Sequence, residues 1–216
     1  MREEMKVKKQ ITKLLILSFF LLTAAIDVKA STKVGLKLQT IVNPSISIEK
    51  SSQSRESGTL NVATGIIESP MQSVFTLQTN ESDENYDFVI TSAVQKNGGT
   101  DSAYGLSGTT PTLLFTNTAN LPSDSDIINA KQGGTFNRNV IAYPVNVILT
   151  NSTMTSQFQQ NYRTYGDCFV IKVNGTTGGT IVHNLNQNPV NGTYKIGQDA
   201  AGTYSSTVTF TAVSKL

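Results

Sequence analysis

From position 34 to position 48 apolar and polar residues alternate. Val34, Leu36, Leu38, Val42, Ile46 and Ile48 fall on one parity, with Thr40 and Pro44 in the two gaps; Lys33, Lys37, Gln39, Asn43, Ser45 and Ser47 fall on the other. A period of two over so long a run predicts an extended strand with one apolar face. Pro44 interrupts its ladder, because proline has no N–H to donate. The same rhythm returns late in the chain. Tyr204, Val208, Phe210 and Ala212 share one face, and Ser205, Thr207, Thr209 and Thr211 share the other. Residues 203–213 therefore read as a strand packed on one side and wetted on the other.

Between these ends the pattern predicts strands at 59–62, 73–78, 86–93, 112–116, 139–149, 168–173 and 179–184. Asn97-Gly98-Gly99, Asn174-Gly175, Gly178-Gly179 and Asn191-Gly192 are turn signals, since these residues accept positive φ at low cost. Segments 97–108 and 117–136 read as longer loops, and the polar region 97–136 would suit a binding face. Segment 151–161 reads as a short helix or a polar loop. Nowhere does a helical apolar stripe of any length appear. Short strands punctuated by turns predict an all-β sandwich or barrel. An outer-membrane barrel is disfavoured, because the chain has no Trp and no aromatic girdles.

The first thirty residues follow a different rule. Arg2, Lys6, Lys8, Lys9 and Lys13 precede an apolar run at 14–26, and Val28-Lys29-Ala30 follows. Basic, apolar and small residues in that order predict a secretory signal peptide at 1–30, cut between Ala30 and Ser31. A run of 13 residues is short of the ~20 needed to span a bilayer. The expected mature chain has no other span. Removing the segment also changes the charge: 6 of the 17 basic and 3 of the 15 acidic residues go, and the net charge moves from +2 to −1. That balance gives nucleic-acid binding no electrostatic support. The chain is expected to be exported.

The chemistry-bearing residues are sparse. Cys168 is the only cysteine, so no internal disulfide can form; beside Phe169, Val170 and Ile171 it reads as a small buried apolar residue. His183 is the only histidine. It lies within a predicted strand with no nucleophile motif nearby, and reads as a surface or partly packed side chain rather than a triad member. One histidine and one cysteine do not make the usual zinc site. Glu81, Asp83, Glu84 and Asp87 would serve glycoside hydrolysis or calcium binding if paired, but read more simply as a solvated turn; Asp124 and Asp126 read the same way. No phosphate-binding glycine pattern is present. These readings predict no enzyme, no catalytic residue, no metal and no cofactor.

The strand that follows the predicted cleavage site needs a partner. An unpaired strand with Val34, Leu36, Leu38 and Val42 on one face is an aggregation hazard. Its sequence, Val34-Gly-Leu-Lys-Leu-Gln-Thr-Ile-Val-Asn-Pro44-Ser-Ile-Ser-Ile48, resembles the start of fimbrial major subunits of the alternate chaperone–usher, colonization-factor type. The closing Ala201-Gly202-Thr203-Tyr204-Ser205-Ser206-Thr207-Val208-Thr209-Phe210 is similar to their closing strand, an Ala-Gly-x-Tyr-x-x-x-Val pattern. Together the two ends cover some 30 residues, and related endings occur in spore-coat-U-like secreted proteins. The resemblance implies an immunoglobulin-like β-sandwich that lacks its final strand, with an N-terminal extension at 31–48 and the sandwich at 49–216. It implies polymerisation by donor strand exchange, a periplasmic chaperone and an outer-membrane usher as partners beside identical or related subunits, and a place in a fimbrium at the cell surface. Val34, Leu36, Leu38, Thr40 and Val42 would be the donor residues; Tyr204, Val208 and Phe210 would belong to the C-terminal strand. The chain departs from better known subunits in lacking paired cysteines and in having Lys215 where a penultimate tyrosine would stand. The alternative reading is a secreted or surface adhesin, a carbohydrate-binding β-sandwich module, with a host receptor as its partner.

Overall fold

Alternation along the sequence becomes antiparallel pairing along most of the chain. The computed structural model describes residues 39–43, 45–61, 63–80, 86–134, 137–174, 178–194 and 199–215. It divides into two units after Val42. Of the first, only residues 39–42 are described, all exposed and outside regular structure; the fold below is that of the second. The expected signal peptide, Val34, Leu36, Leu38 and Pro44 lie outside the described residues.

In chain order the strands are β1 (Ile46–Lys50), β2 (Leu60–Asn61), β3 (Ile66–Ile67), β4 (Gln72–Thr79), β5 (Tyr86–Lys96), β6 (Gly99–Ser102), β7 (Tyr104–Ser107) and β8 (Thr110–Asn117). After a helix α1 (Asp124–Lys131) follow β9 (Val140–Leu149), β10 (Met154–Gln159), β11 (Cys168–Val173), β12 (Gly179–Leu185), β13 (Tyr204–Ser205) and β14 (Thr207–Ser214). One sheet has the order β1-β4-β12-β9-β8-β13, with β7 also on β8; the second runs β10-β11-β5-β14, with β6 also on β5; β2 and β3 pair alone. Among the described residues the chain is thus all-β with one short helix, in a sandwich-like arrangement of antiparallel sheets.

The two larger sheets share one core. Phe75 and Leu77 of β4 and Ile181 of β12 meet Phe88, Ile90, Phe169, Ile171 and Phe210 from the other sheet, all buried. The Phe75 and Phe210 rings, one from each sheet, are 5.2 Å apart. A second, smaller cluster of Val89, Cys168, Val170 and Val213 lies under Tyr162 and Tyr165. These residues have the opposite parity to Phe88, Ile90, Phe169 and Ile171, so the loop between β10 and β11 roofs the far face of the second sheet.

Several expectations need correction. Segment 151–161 is neither helix nor loop: it contains β10, whose Met154 is buried and whose Phe158 packs on the main core. Segment 97–108 holds β6 and β7. Gly98 (φ +85°) and Gly99 (φ +147°) make the turn that folds β6 back onto β5. Segment 117–136 holds α1. Its N-terminus is a capping box: Ser123 Oγ accepts from the Asp126 N–H, and Asp126 returns a bond to the Ser123 N–H at 2.9 Å, which satisfies donors the first turn leaves idle. The run 203–213 is broken at Ser206. Tyr204 and Ser205 pair with β8, while Thr207–Ser214 pair with β5, so the chain changes sheets between them. Gly178 and Gly179 do not take positive φ. A Cβ on Gly178 would stand 1.7 Å from the Leu77 carbonyl oxygen, so glycine is needed there for close approach.

Candidate functional site

β14 has a place in the sheet that sets it apart. Along one side it pairs with β5 from Thr207↔Ala93 to Ser214↔Tyr86. Along the other, no strand among the described residues pairs with it. β1, which ends the opposite sheet on the same flank, is in contact with β14. Half-buried apolar side chains line this flank: Ile46 and Ile48 of β1, Tyr86 of β5, and Val208 and Ala212 of β14. Phe210, 9% exposed, forms the floor, with Phe75 at 5.2 Å and Phe88 at 6.2 Å. An unpaired row of main-chain donors and acceptors over an apolar floor is a template for an added strand.

The segments just before and just after this strand are pinned. At the near end the Tyr204 hydroxyl reaches the main-chain oxygens of Ala200 (2.8 Å) and Arg138 (2.7 Å). At the far end Lys215 lies 3.4 Å from the Asp87 carboxylate. Asp87 is buried on β5 and also receives Arg163 at 3.4 Å and the Tyr162 hydroxyl. Burial, then the hydrogen bond to Asp87, pushes the Tyr162 phenol up to about 12. Asp87 is therefore not part of a solvated turn but the hub of an ion cluster joining β5, the 160–167 loop and the end of β14. Its signal in the sequence is a lone carboxylate inside the apolar run Tyr-Asp-Phe-Val-Ile. Asn161 and Arg163, both in the loop, are the described non-glycine residues with positive φ, each at 51°.

Two further chemistry-bearing residues lie in the interior. His183 is fully buried, against the expectation of a surface or partly packed ring. The Tyr104 hydroxyl lies 2.8 Å from its Nε2, and burial lowers its pKa to about 4. Among the described residues the side chain bonded to it is the Tyr104 phenol, not a serine or cysteine. Cys168 is buried, and burial raises its thiol to about 11, which leaves it inert. Among the described residues no group of three or more His, Cys, Asp or Glu could hold a metal ion; Glu81, Asp83 and Glu84 lie outside them. A shallow open groove of about 390 Å³ beside β10 is lined by Thr155, Ser156, Gln157, Gln159, Val170 and Lys172, without a carboxylate pair.

Of the expected donor residues, Thr40 and Val42 are described. Neither lies in a strand, and Val42 is 75% exposed, next to Ile41 at 79%. Of the expected C-terminal strand residues, Val208 and Phe210 are on β14 and Tyr204 on β13. Comparisons with protein-family models, with curated proteins and with solved structures find no match. Among the described residues no helix is long and apolar enough to cross a membrane.

Proposed function

We propose that this chain is a structural subunit of a fimbrial fibre, assembled by donor strand exchange. The observation that carries the reading is the open flank of β14, with Phe210, Val208 and Ala212 beside an unpaired strand edge. The sequence alternation of Val34, Leu36, Leu38 and Val42 would supply a strand of matching character, and Val42 is exposed.

Three features support an immunoglobulin-like frame for the sandwich. With β1, β4, β12 and β9 as strands A, B, E and D, and β5 and β14 as C and F, the sheet orders follow the ABED and CF pattern. The position of a final strand G, beside F, is the open one. The Tyr204 hydroxyl, at the entry to β14, bonds back to the main chain four residues upstream, as the tyrosine corner of such domains does. β10 and β11 are an addition to the pattern, placed between D and E in the chain. Filling the gap from another copy is strand addition of the kind used in pilus assembly. A periplasmic chaperone, an outer-membrane usher and export through the signal peptide follow from the same reading.

Deleting residues 31–42 and supplying a peptide of residues 34–43 tests it. The truncated protein is expected to be monomeric and to gain thermal stability on adding the peptide. Full-length mature protein that stays monomeric at all concentrations and ignores the peptide would overturn the proposal.

A further inference from the structure

Several other edges of the sandwich are guarded, and β7 packs against the Lys131 backbone of α1 at Gly105. β1 carries Glu49 and Lys50, β6 carries Asp101 held by Lys131 at 3.3 Å, and β13 and the β2–β3 pair are two residues long. Charge and shortness are the devices that keep sheet edges from pairing with other molecules. β10 has neither. Its six residues, Met-Thr-Ser-Gln-Phe-Gln, contain no charge and no proline, and it ends the second sheet on the side away from β14.

Its outward-facing groups can be assigned. Asn174 N–H donates to the Thr153 carbonyl at 2.7 Å, directly opposite in the β10–β11 register. Alternation then turns the main-chain groups of Thr155, Gln157 and Gln159 toward β11, and those of Ser156 and Phe158 toward the open side. The Met154 N–H is already donated to the Asn151 carbonyl at 3.1 Å.

We propose that β10 is a self-pairing edge, joining two copies of this chain antiparallel about a two-fold axis through Gln157. This register sets the outward groups of Ser156 against those of Phe158 in the second copy, so the free main-chain groups are used and Met154 is not asked to donate twice. Gln157 then faces Gln157 across the axis, and Thr155 faces Gln159. No like charges meet. The exposed amides add side-chain partners, and Gln159 Nε2 already lies 3.5 Å from Gln157 Oε1 within one copy. The contact is isologous and closes on itself. A strand of six residues falls well short of the roughly 1,200 Å² of a stable interface, so single molecules pair weakly, and copies already linked in a row gain by multivalency. The contact uses a different strand from β14 and stands independently of the fibre reading.

Two variants of the mature protein test it. In the proposed register the Cα atoms of residue 157 in the two copies stand about 4.5 Å apart. A Gln157→Cys variant should therefore form a disulfide-linked dimer under mild oxidation, at least roughly tenfold faster than Ile128→Cys on the exposed side of α1. The parent is expected to self-associate in sedimentation at high concentration; Gln157→Lys and Gln157→Glu should each lose this, and a one-to-one mixture should regain it, because like charges directly opposite repel and unlike ones attract. Equal cross-linking at the two cysteine positions, or charged variants that associate as the parent does, would overturn the proposal. So would a mixture that stays monomeric, which would point instead to β10 pairing with a different strand.

Discussion

The Tyr104 hydroxyl and His183 Nε2 lie 2.8 Å apart in the interior, joining β7 to β12 across a floor made by the rings of Phe169 and Phe158. Both side chains are fully buried, so the bond satisfies two polar atoms that have no route to water. Tyr104→Phe should cost about 1–3 kcal/mol, the penalty for leaving a buried polar atom unmet. Urea unfolding of the variant against the parent measures it.

The same pair sets a pH dependence. Burial holds the folded His183 at about 4, below the ~6.5 of an unfolded chain. In the window between those values the unfolded state binds a proton and the folded state does not, so stability rises with pH there. The His183 contribution should be fully present above about pH 6.5 and should fall by about 3 kcal/mol on acidifying to pH 4. His183→Gln should flatten that slope. Urea midpoints at pH 4.5 and 7.5 for the two proteins decide the matter; equal slopes would refute it.

Asp87→Asn removes the carboxylate that Arg163, Lys215 and Tyr162 share. Arg163 is partly exposed and can return to water, so the expected loss is about 1–3 kcal/mol rather than the full cost of a broken interior pair. The loop over Cys168 should also loosen. Reaction of the thiol with a chromogenic disulfide reagent should be slow in the parent and markedly faster in the variant.

Leu38→Asp and Lys37→Asp separate the two faces of the N-terminal strand. If Leu38 enters a neighbour's core, a charge there costs several kcal/mol and fibres should fail to form. On the wetted face Lys37→Asp should be nearly neutral. Electron microscopy of assembled material distinguishes them.

Gly178→Ala tests close approach. With its Cβ 1.7 Å from the Leu77 oxygen, the β4–β12 pair would have to separate. Thermal melts should show a loss of about 1–3 kcal/mol, where an unstrained glycine-to-alanine change would instead stabilise by about 0.4–1 kcal/mol.

How much of this was legible in advance depended on what each segment buries. β11 and β12 stand out as apolar runs, and the structure gives Cys168–Val173 and Gly179–Leu185 because those strands sit inside their sheets. β10 was hidden because Ser156 sits between Met154 and Phe158 on the inward parity, which erased the apolar alternation. α1 was hidden because its box uses Asp126 in place of a glutamate and buries only Ile127 and Ala130. Asp87 and His183 were misread for one reason: their partners, Lys215 and Tyr104, are distant in sequence, and burial of a polar group can be anticipated only when its partner is known. The open flank of β14 was signalled only through the alternation at 34–42.

The antiparallel register of β14 on β5 has a mechanical meaning. A pull along the axis of β14 strains the ladder from Thr207 to Ser214 in shear, so its bonds resist together, whereas a pull across the strand would peel them in turn. With Tyr204 moored three residues before the strand and Lys215 just after it, neither terminus is a ready starting point for peeling. A molecule loaded through this strand should therefore yield abruptly at high force instead of unravelling from an end.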